Sequence, residues 1–135
     1  MRLLLDTHTL LWWFSDDSAL PASCQGLIGQ MKTEVFVSVV SAWEISTKFR
    51  LGKLSSAAEP VQDFGGYLAR DNFHSLLLTP HHGIRAGLLP GPLKDPFDRM
   101  LIAQAQAEDL TIVSNEVSFD NYGVRRAWDK TPFAV

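Results

Sequence analysis

Three acidic side chains, Asp6, Glu44 and Asp98, have the residue type and the sequence setting to bind a divalent metal ion. Asp6 directly follows a short apolar run, Glu44 lies just past a second one, and Asp98 lies near the start of an amphipathic segment. Clustered carboxylates without neighbouring cysteines favour hard cations such as Mg²⁺ or Mn²⁺. Because such ions activate water and neutralise phosphate charge, the three acids indicate phosphate-ester chemistry.

Glu116 is a fourth acid in a comparable setting. It follows a third apolar run, residues 110–113, after Ser114 and Asn115. Residues just after a strand are the ones that reach the ligand-binding edge of a parallel sheet. We therefore expect Glu116 to support the other three acids, either as a metal ligand or in an outer position.

Each acid also has a structural interpretation, because Asp and Glu near helix starts stabilise free N–H groups and the helix dipole. Glu44 ends the pattern Ser41-x-x-Glu44, which is typical of a capping box. Asp98 follows Asp95 by three positions, so a cap at Asp95 and a dipole partner at Asp98 would explain both. A carboxylate such as Asp6 after a buried strand is costly unless it is paired, capping or metal-bound. Spacing alone leaves both interpretations open.

The hydrophobic pattern predicts the elements that must position these acids. The continuous apolar run at residues 3–5 is typical of a strand covered on both faces, and residues 35–40 are rich in β-branched side chains. Strands alternating with helices imply an α/β fold with a central, mostly parallel sheet of four to five strands and helices on both faces. Further strands are predicted at 75–79 and 110–113 and a fifth within 119–124, with helices at 10–14, 21–31, 41–51, 60–70, 81–89 and 97–108.

Length and composition limit the class of protein. A chain of 135 residues, 46% of them hydrophobic and 20% charged, predicts a single globular domain spanning residues 1–135. A net charge of -3 argues against a generally basic surface that would bind nucleic acid everywhere. Cys24 has no second cysteine to pair with, and the apolar run before Asp6 is too short for a membrane span. We therefore expect a cytoplasmic protein without a membrane partner.

Three blocks of sequence surround the acids with distinctive neighbours, and the second continues through Lys48 to Leu51-Gly52-Lys53-Leu54. The blocks are Leu3-Leu4-Leu5-Asp6-Thr7-His8, Val39-Val40-Ser41-Ala42-Trp43-Glu44-Ile45 and Asp95-Pro96-Phe97-Asp98-Arg99-Met100-Leu101-Ile102-Ala103-Gln104-Ala105. In these blocks the chain resembles the PIN-domain ribonucleases, and within them the VapC-like toxins of bacterial toxin-antitoxin modules. One capping acid is ordinary, but capping does not explain three such motifs in the same order.

The resemblance implies a PIN fold in which Asp6, Glu44 and Asp98 form an acidic triad that binds Mg²⁺, with Mn²⁺ as a substitute. It implies hydrolysis of an RNA phosphodiester by a metal-activated water, leaving a 5′-phosphate and a 3′-hydroxyl. It also implies a homodimer and a small antitoxin whose C-terminal segment lies over the acidic site. The chain departs from the family at the fourth acid, usually an aspartate, where Glu116 is the substitute and leaves open whether one ion or two are bound.

Basic side chains near the motifs have both structural and functional interpretations. Lys48 lies four residues after Glu44, a spacing at which helical residues form an ion pair. Arg99 is adjacent to Asp98 and is a candidate either for an RNA phosphate or for a structural salt bridge. The histidines lack a metal-ligand spacing, so they are not among the predicted site residues.

Two other classes of function remain to be distinguished from a ribonuclease. In an aspartyl phosphotransferase, the acid after the first strand would be phosphorylated. Haloacid-dehalogenase-like enzymes have a second aspartate two residues later, where this chain has His8, and that argues against the class. The other alternative is a binding module that keeps the scaffold and binds antitoxin or RNA without turnover, with Glu116 marking a weakened site.

Overall fold

A computed structural model describes residues 1–129 of the chain. The five strands form one sheet in the order β3-β2-β1-β4-β5, and every neighbouring pair is parallel. The predicted α/β fold with a parallel sheet is therefore confirmed. The strands are β1 (Arg2–Leu5), β2 (Glu34–Ser38), β3 (His74–Leu76), β4 (Thr111–Val113) and β5 (Arg126–Ala127). The α-helices are α1 (Thr7–Phe14), α2 (Ala22–Gly29), α3 (Val39–Arg50), α4 (Ala58–Gln62), α5 (Phe64–Arg70), α6 (Pro80–Leu88) and α7 (Pro96–Glu108), with 3-10 helices at Ser55–Ala57 and Val117–Tyr122.

The apolar run of β1 is buried on both faces of the sheet, as its composition predicts. Leu3 and Leu5 pack into one hydrophobic cluster together with Leu10 of α1, whereas Leu4 packs into a second cluster with Leu101 of α7. Successive side chains of a strand point to opposite faces, so one short strand contributes to both cores. Helices therefore cover both sides of the sheet, and β1 is held at its centre.

The order of the strands creates a crevice beside β1. The chain first builds β2 and β3 on one side of β1 and then returns to build β4 and β5 on the other. In open parallel sheets, ligands bind at such a reversal, outside the carboxyl ends of the strands. The backbone N–H of Asp6 donates to the carbonyl of Val113 at 3.1 Å, so the first residue after β1 is fastened to the end of β4.

The second strand ends earlier than its β-branched composition predicts. Val39 and Val40 already belong to α3, whose N-cap is Ser38, with its hydroxyl accepting the N–H of Val40 at 3.0 Å. The predicted capping box at Ser41 is therefore wrong. The Ser41 hydroxyl instead hydrogen-bonds that of Thr7 at 3.1 Å, a contact between α3 and α1.

Three other predicted segments differ from the structure. The third strand, expected at 75–79, ends at Leu76, and Thr79 is the N-cap of α6. The helix expected at 60–70 is divided at Asp63, whose carboxylate accepts the N–H of Gly66 at 3.2 Å and caps α5. Gly66 has no Cβ, which leaves the room that the Asp63 carboxylate occupies. The fifth strand is Arg126–Ala127 rather than part of 119–124, because Glu116 caps a 3-10 helix that takes up Val117–Tyr122. Among the helices of residues 1–129, none has the length and apolar content needed to cross a membrane.

Candidate metal centre

Asp6 is buried at the carboxyl end of β1, where it also caps α1. Its Oδ1 accepts the N–H of Thr9 at 2.9 Å, and its side chain has a second partner in the buried hydroxyl of Ser114. Only 5% of Asp6 is exposed, so burial raises the pKa of its carboxyl, and the hydrogen bonds from Ser114 and Thr9 oppose that shift. Capping and a site role are therefore compatible for this residue.

Glu44 is more deeply buried, with 3% of its surface exposed. Its Oε2 accepts a hydrogen bond from the Lys48 ammonium at 2.5 Å, which confirms the predicted ion pair across one helical turn. Within the described residues its Oε1 is buried without a hydrogen-bond partner. Because buried polar atoms are costly when unpaired, an oxygen left without a donor marks a position where a cation would fit.

Asp98 lies in the first turn of α7, one turn after the residue that caps this helix. Asp95 accepts the N–H groups of Phe97 at 2.9 Å and of Asp98 at 3.2 Å, which confirms the predicted helix start. Burial and the charges of Asp95, Glu44, Asp6 and Glu116 raise the pKa of Asp98 from its ordinary value to about 7. A favourable helix dipole alone would lower this pKa, so burial and the nearby acids together outweigh the dipole.

Glu116 is close enough for its charge to act on Asp98, but its side chain is exposed and is already hydrogen-bonded to Ser118. It caps the 3-10 helix that follows β4, and its Oε1 accepts from the Ser118 hydroxyl at 2.8 Å and from the Ser118 N–H at 3.4 Å. Its charge still contributes to the raised pKa of Asp98. The structure therefore places Glu116 beside the acidic cluster, with its carboxylate engaged in local capping.

The charges of Asp6, Glu44 and Glu116 act on Asp98, but the four predicted acids do not form a ready coordination shell. Within residues 1–129, no three Asp, Glu, His or Cys side chains are placed so that they could hold one metal ion without moving. Like charges repel, and local donors hold Glu44 through Lys48 and Glu116 through Ser118. A cation that binds here would have to draw these carboxylates away from Lys48 and Ser118.

Two contributors to the cluster were missed by the sequence prediction. Ser114 is fully buried and is a side-chain partner of Asp6, although the sequence analysis considered it only as a residue before Glu116. Its place directly after β4, the strand next to β1, is the signal that would have identified it. Asp95 was predicted as a helix cap, and the structure adds that its charge raises the pKa of Asp98.

Arg99 is neither free for a phosphate nor part of a salt bridge within the described residues. Its guanidinium donates to main-chain carbonyls, those of Ala86 and Leu89 at 2.8 Å and 2.6 Å and that of Leu93 at 2.8 Å. The last carbonyls of a helix lack partners within the helix and attract positive charge. Arg99 thus joins the end of α6 and the following loop to the start of α7.

The fold and the cluster together define an α/β protein whose parallel sheet carries acids at the carboxyl ends of its strands. The PIN domain family model matches residues 3–124, which is most of the sequence. The chain belongs to the PIN-domain family. No curated protein has a sequence that matches this chain.

Solved structures with low sequence identity share this fold. A chain of VapBC2 from Rickettsia felis, in a crystal structure with a DNA fragment from its promoter, has a TM-score of 0.69 and 16% identity, covering 94% of this chain and 98% of that one. A chain of DNA-bound VapBC from Salmonella typhimurium has a TM-score of 0.67 and 16% identity, covering 94% and 97%. A chain of a toxin-antitoxin complex from Klebsiella pneumoniae has a TM-score of 0.60 and 15% identity, covering 98% and 99%.

Proposed function

We propose that this chain is a divalent-metal-dependent endoribonuclease and the toxin of a toxin-antitoxin pair. Asp6, Glu44 and Asp98 bind Mg²⁺, or Mn²⁺ in its place, and Glu116 acts from an outer position. The observation that carries the proposal is Oε1 of Glu44, buried and unpaired among residues 1–129, in a site where burial, the charge of this glutamate and the charges of the other acids raise the pKa of Asp98 to about 7. A partly buried carboxyl that retains its proton among other acids is an environment that a divalent cation stabilises.

The donor set fits a hard cation. It consists of carboxylate oxygens, includes the unpaired Oε1 of Glu44, and contains no thiolate, since the single cysteine, Cys24, is buried in the core on one face of the sheet. When bound, the divalent ion lowers the pKa of an attacking water and neutralises charge on the phosphate. These properties suit cleavage of a phosphodiester.

The carboxylates of Asp6 and Asp98 differ in how firmly neighbouring residues hold them. Ser114 and the N–H of Thr9 hold the Asp6 carboxylate in one orientation, so this ligand loses little freedom on binding. Among residues 1–129, no hydrogen-bond donor holds the Asp98 carboxylate, which leaves it free to turn toward a cation. Because a water attacks rather than the ribose 2′-hydroxyl, we expect products with a 5′-phosphate and a 3′-hydroxyl.

The partners are inferred from the family and from the solved structures of the same fold. The similar chains come from VapBC assemblies and from a toxin-antitoxin complex, which supports a cognate small antitoxin for this chain. We also infer a homodimer, as the family resemblance implies, and a cytoplasmic location, where the proposed RNA substrate and antitoxin would meet this chain. A short adjacent gene whose product abolishes RNA cleavage by this chain would support the pairing.

The test is RNA cleavage by the full chain in Mg²⁺ or Mn²⁺, with and without chelator. Asp6→Asn and Asp98→Asn each remove one charge with little change in shape, and activity should fall about 100-fold or more. Asp16→Asn is the matched control, because Asp16 is exposed and lies outside the cluster. Equal activity in the Asp6 and Asp98 variants, or a 2′,3′-cyclic product, would contradict the proposal.

A second candidate is a PIN-fold module that binds antitoxin or RNA without turnover. The observation that favours it is Glu116, which is exposed and engaged with Ser118 instead of reaching a shared coordination site. Mg²⁺ and RNA binding measured by calorimetry, together with an absence of cleavage over long incubation, would favour this candidate over the nuclease.

A further inference from the structure

Trp43 is a large aromatic side chain that the fold leaves exposed beside the acidic cluster. It is 58% exposed, although tryptophan is a residue type that folded domains usually bury for the most part. Trp43 directly precedes Glu44 on α3, and its ring packs against Phe97, which directly precedes Asp98 on α7. The exposed indole therefore adjoins two of the acids that we propose as metal ligands.

Phe97 fixes the position of this indole without covering it. The two ring centroids are 4.7 Å apart and the ring planes make an angle of 76°, which is an edge-to-face pair. Phe97 itself packs against the hydrophobic cluster that contains Leu101, so the core supports the pair. Because an edge-to-face partner lies against at most one face of a ring, Phe97 leaves at least one face of the Trp43 indole open.

The rest of this face of α3 is polar and carries a positive charge. Thr47 and Arg50 follow Trp43 by four and seven positions, spacings at which helical residues share a face. Arg50 is exposed, lies about 10 Å along the helix from Trp43, and is in none of the ion pairs among residues 1–129. An aromatic ring followed by a free cation is typical of surfaces that bind single-stranded nucleic acid.

We propose that Trp43 is a stacking platform for single-stranded RNA, on which an unpaired base next to the cleaved phosphodiester lies against the indole while Arg50 contacts a phosphate further along the strand. This inference rests on the proposed ribonuclease function and adds the class of its substrate. A base inside a duplex is covered by its neighbours and cannot stack on a side chain, so the platform requires an unpaired nucleotide. Every base has a π-face, so the platform does not select one base.

A protein partner is the other occupant that an exposed tryptophan could have. The core of a protein interface is depleted of charge and continues as an apolar surface. Beyond Trp43, the same face of α3 instead continues with Thr47 and Arg50, which suit sugar and phosphate groups. The composition of the face and its position beside the acids both favour RNA.

The platform is tested by the binding of a short fluorescent single-stranded RNA to the full chain in chelator, measured by fluorescence anisotropy. Trp43→Ala should raise the Kd about 10-fold, and Trp43→Phe, which keeps a stacking ring, should stay within about threefold of the wild type. Met31→Ala is the control, because Met31 is a fully exposed apolar side chain just before β2, at the end of the strands opposite to the acids. It should leave the Kd unchanged.

Two further measurements separate stacking from a change in folding. An RNA with one abasic position, moved along the strand, should bind the wild type most weakly when the stacked base is missing, and Trp43→Ala should be insensitive to that position. Arg50→Met should reduce the slope of log Kd against log salt by about one, as loss of one phosphate contact does. Circular dichroism reports the folding of each variant.

The outcomes distinguish this inference from the function on which it rests. An equal Kd for wild type and Trp43→Ala, or an equal loss of affinity for intact and abasic RNA, would overturn the platform. Unchanged RNA binding with a change in sedimentation would assign Trp43 to a protein interface instead. If the wild type still cleaves RNA in Mg²⁺, these results contradict the platform alone. RNA binding that depends on Trp43 without any cleavage would support the platform and contradict the nuclease.

Discussion

At the level of single residues, Asp98 retains its proton to a higher pH than an ordinary aspartate because its carboxyl is partly buried among other acids. Asp6 is shifted in the same direction, mainly by burial. Both residues are aspartates with the same ordinary pKa, so the surroundings of each carboxyl set the size of its pKa shift. The charge of the metal-free cluster therefore changes within the pH range in which proteins are handled.

The first prediction concerns stability against pH in chelated solution. An acid whose pKa is raised in the folded state contributes stability that is present below its unfolded pKa and is lost as pH rises through its folded pKa. For Asp98 this window runs from 3.8 to about 7, so the free energy of unfolding should fall as pH rises across it. Urea denaturation at several pH values measures the slope.

The matched comparison uses Asp98→Asn, which cannot titrate and should show a shallower slope than the wild type. Asp16→Asn should keep the wild-type slope, since its carboxyl is exposed and an amide tolerates its positive φ. Identical slopes in Asp98→Asn and wild type would show that this carboxyl does not have a raised pKa.

At the level of elements, the positions of the acids depend on the starts of α1 and α7 and on the end of α6. Asp6 begins α1 and Asp95 begins α7, so carboxylates at these ends both cap helices and contribute to the cluster. Arg99 then joins the end of α6 to α7 through main-chain carbonyls, which holds the segment that carries Asp98. The positions of the acids thus depend on helix termini as well as on strands.

The second prediction separates the cap of α7 from its charge. Asp95→Ala removes the acceptor for two N–H groups and should cost about 1 kcal/mol of unfolding free energy. Asp95→Asn keeps an acceptor and should leave stability within a few tenths of that of the wild type. Because both substitutions remove a neighbouring charge, both should lower the pKa of Asp98.

Chemical denaturation measures the stabilities, and carboxyl chemical shifts in NMR spectra measure the pKa of Asp98. An equal loss of stability in Asp95→Ala and Asp95→Asn would contradict the capping role. An unchanged pKa of Asp98 in both variants would mean that Asp95 does not act on it through charge.

At the level of the whole molecule, the strand order brings together residues that are far apart in sequence. β1 is central, so Asp6 lies at the reversal of the sheet, and the end of β4 lies beside it. The hydrogen bond between Thr7 and Ser41 fastens α3, the helix of Glu44, to the same edge. The cluster is therefore supported by the core on both faces of the sheet. That residues 1–135 act as a single domain stays a prediction.

The third prediction concerns metal binding and global stability. Mg²⁺ that binds only the folded chain should raise the free energy of unfolding by roughly 2.7 kcal/mol at a concentration 100-fold above its Kd. At a fixed Mg²⁺ concentration the gain should be larger above the pKa of Asp98, about 7, than below it, because protons compete with the ion. Thermal unfolding in Mg²⁺, in chelator and in NaCl of equal ionic strength measures it.

Asp6→Asn should lose most of this stabilisation, and the exposed control Asp16→Asn should keep it. A gain of the same size in NaCl would show that general screening of the acids, rather than a specific ion, is responsible. The same experiment in Mn²⁺ tests whether the centre accepts both cations.

Features that depend on neighbours in sequence were predicted from the sequence itself. The apolar run of β1, the start of α7 at Asp95 and the pair between Glu44 and Lys48 each depend on residues within a few positions of one another. Alternation of strands and helices predicted the parallel α/β sheet for the same reason. The motifs around the three acids indicated the PIN-domain family, which the match over residues 3–124 confirms.

What the tertiary structure decided depends on contacts between distant segments. Ser41 does not cap α3, because its hydroxyl meets Thr7 from another helix, and Ser114 contacts Asp6 only because β4 pairs with β1. The pKa of Asp98 has the same origin, since burial and acids from separate elements raise it. Sequence spacing determines which side chains a single helix or strand presents together, whereas charge repulsion and burial act through space and take effect only once the sheet has assembled.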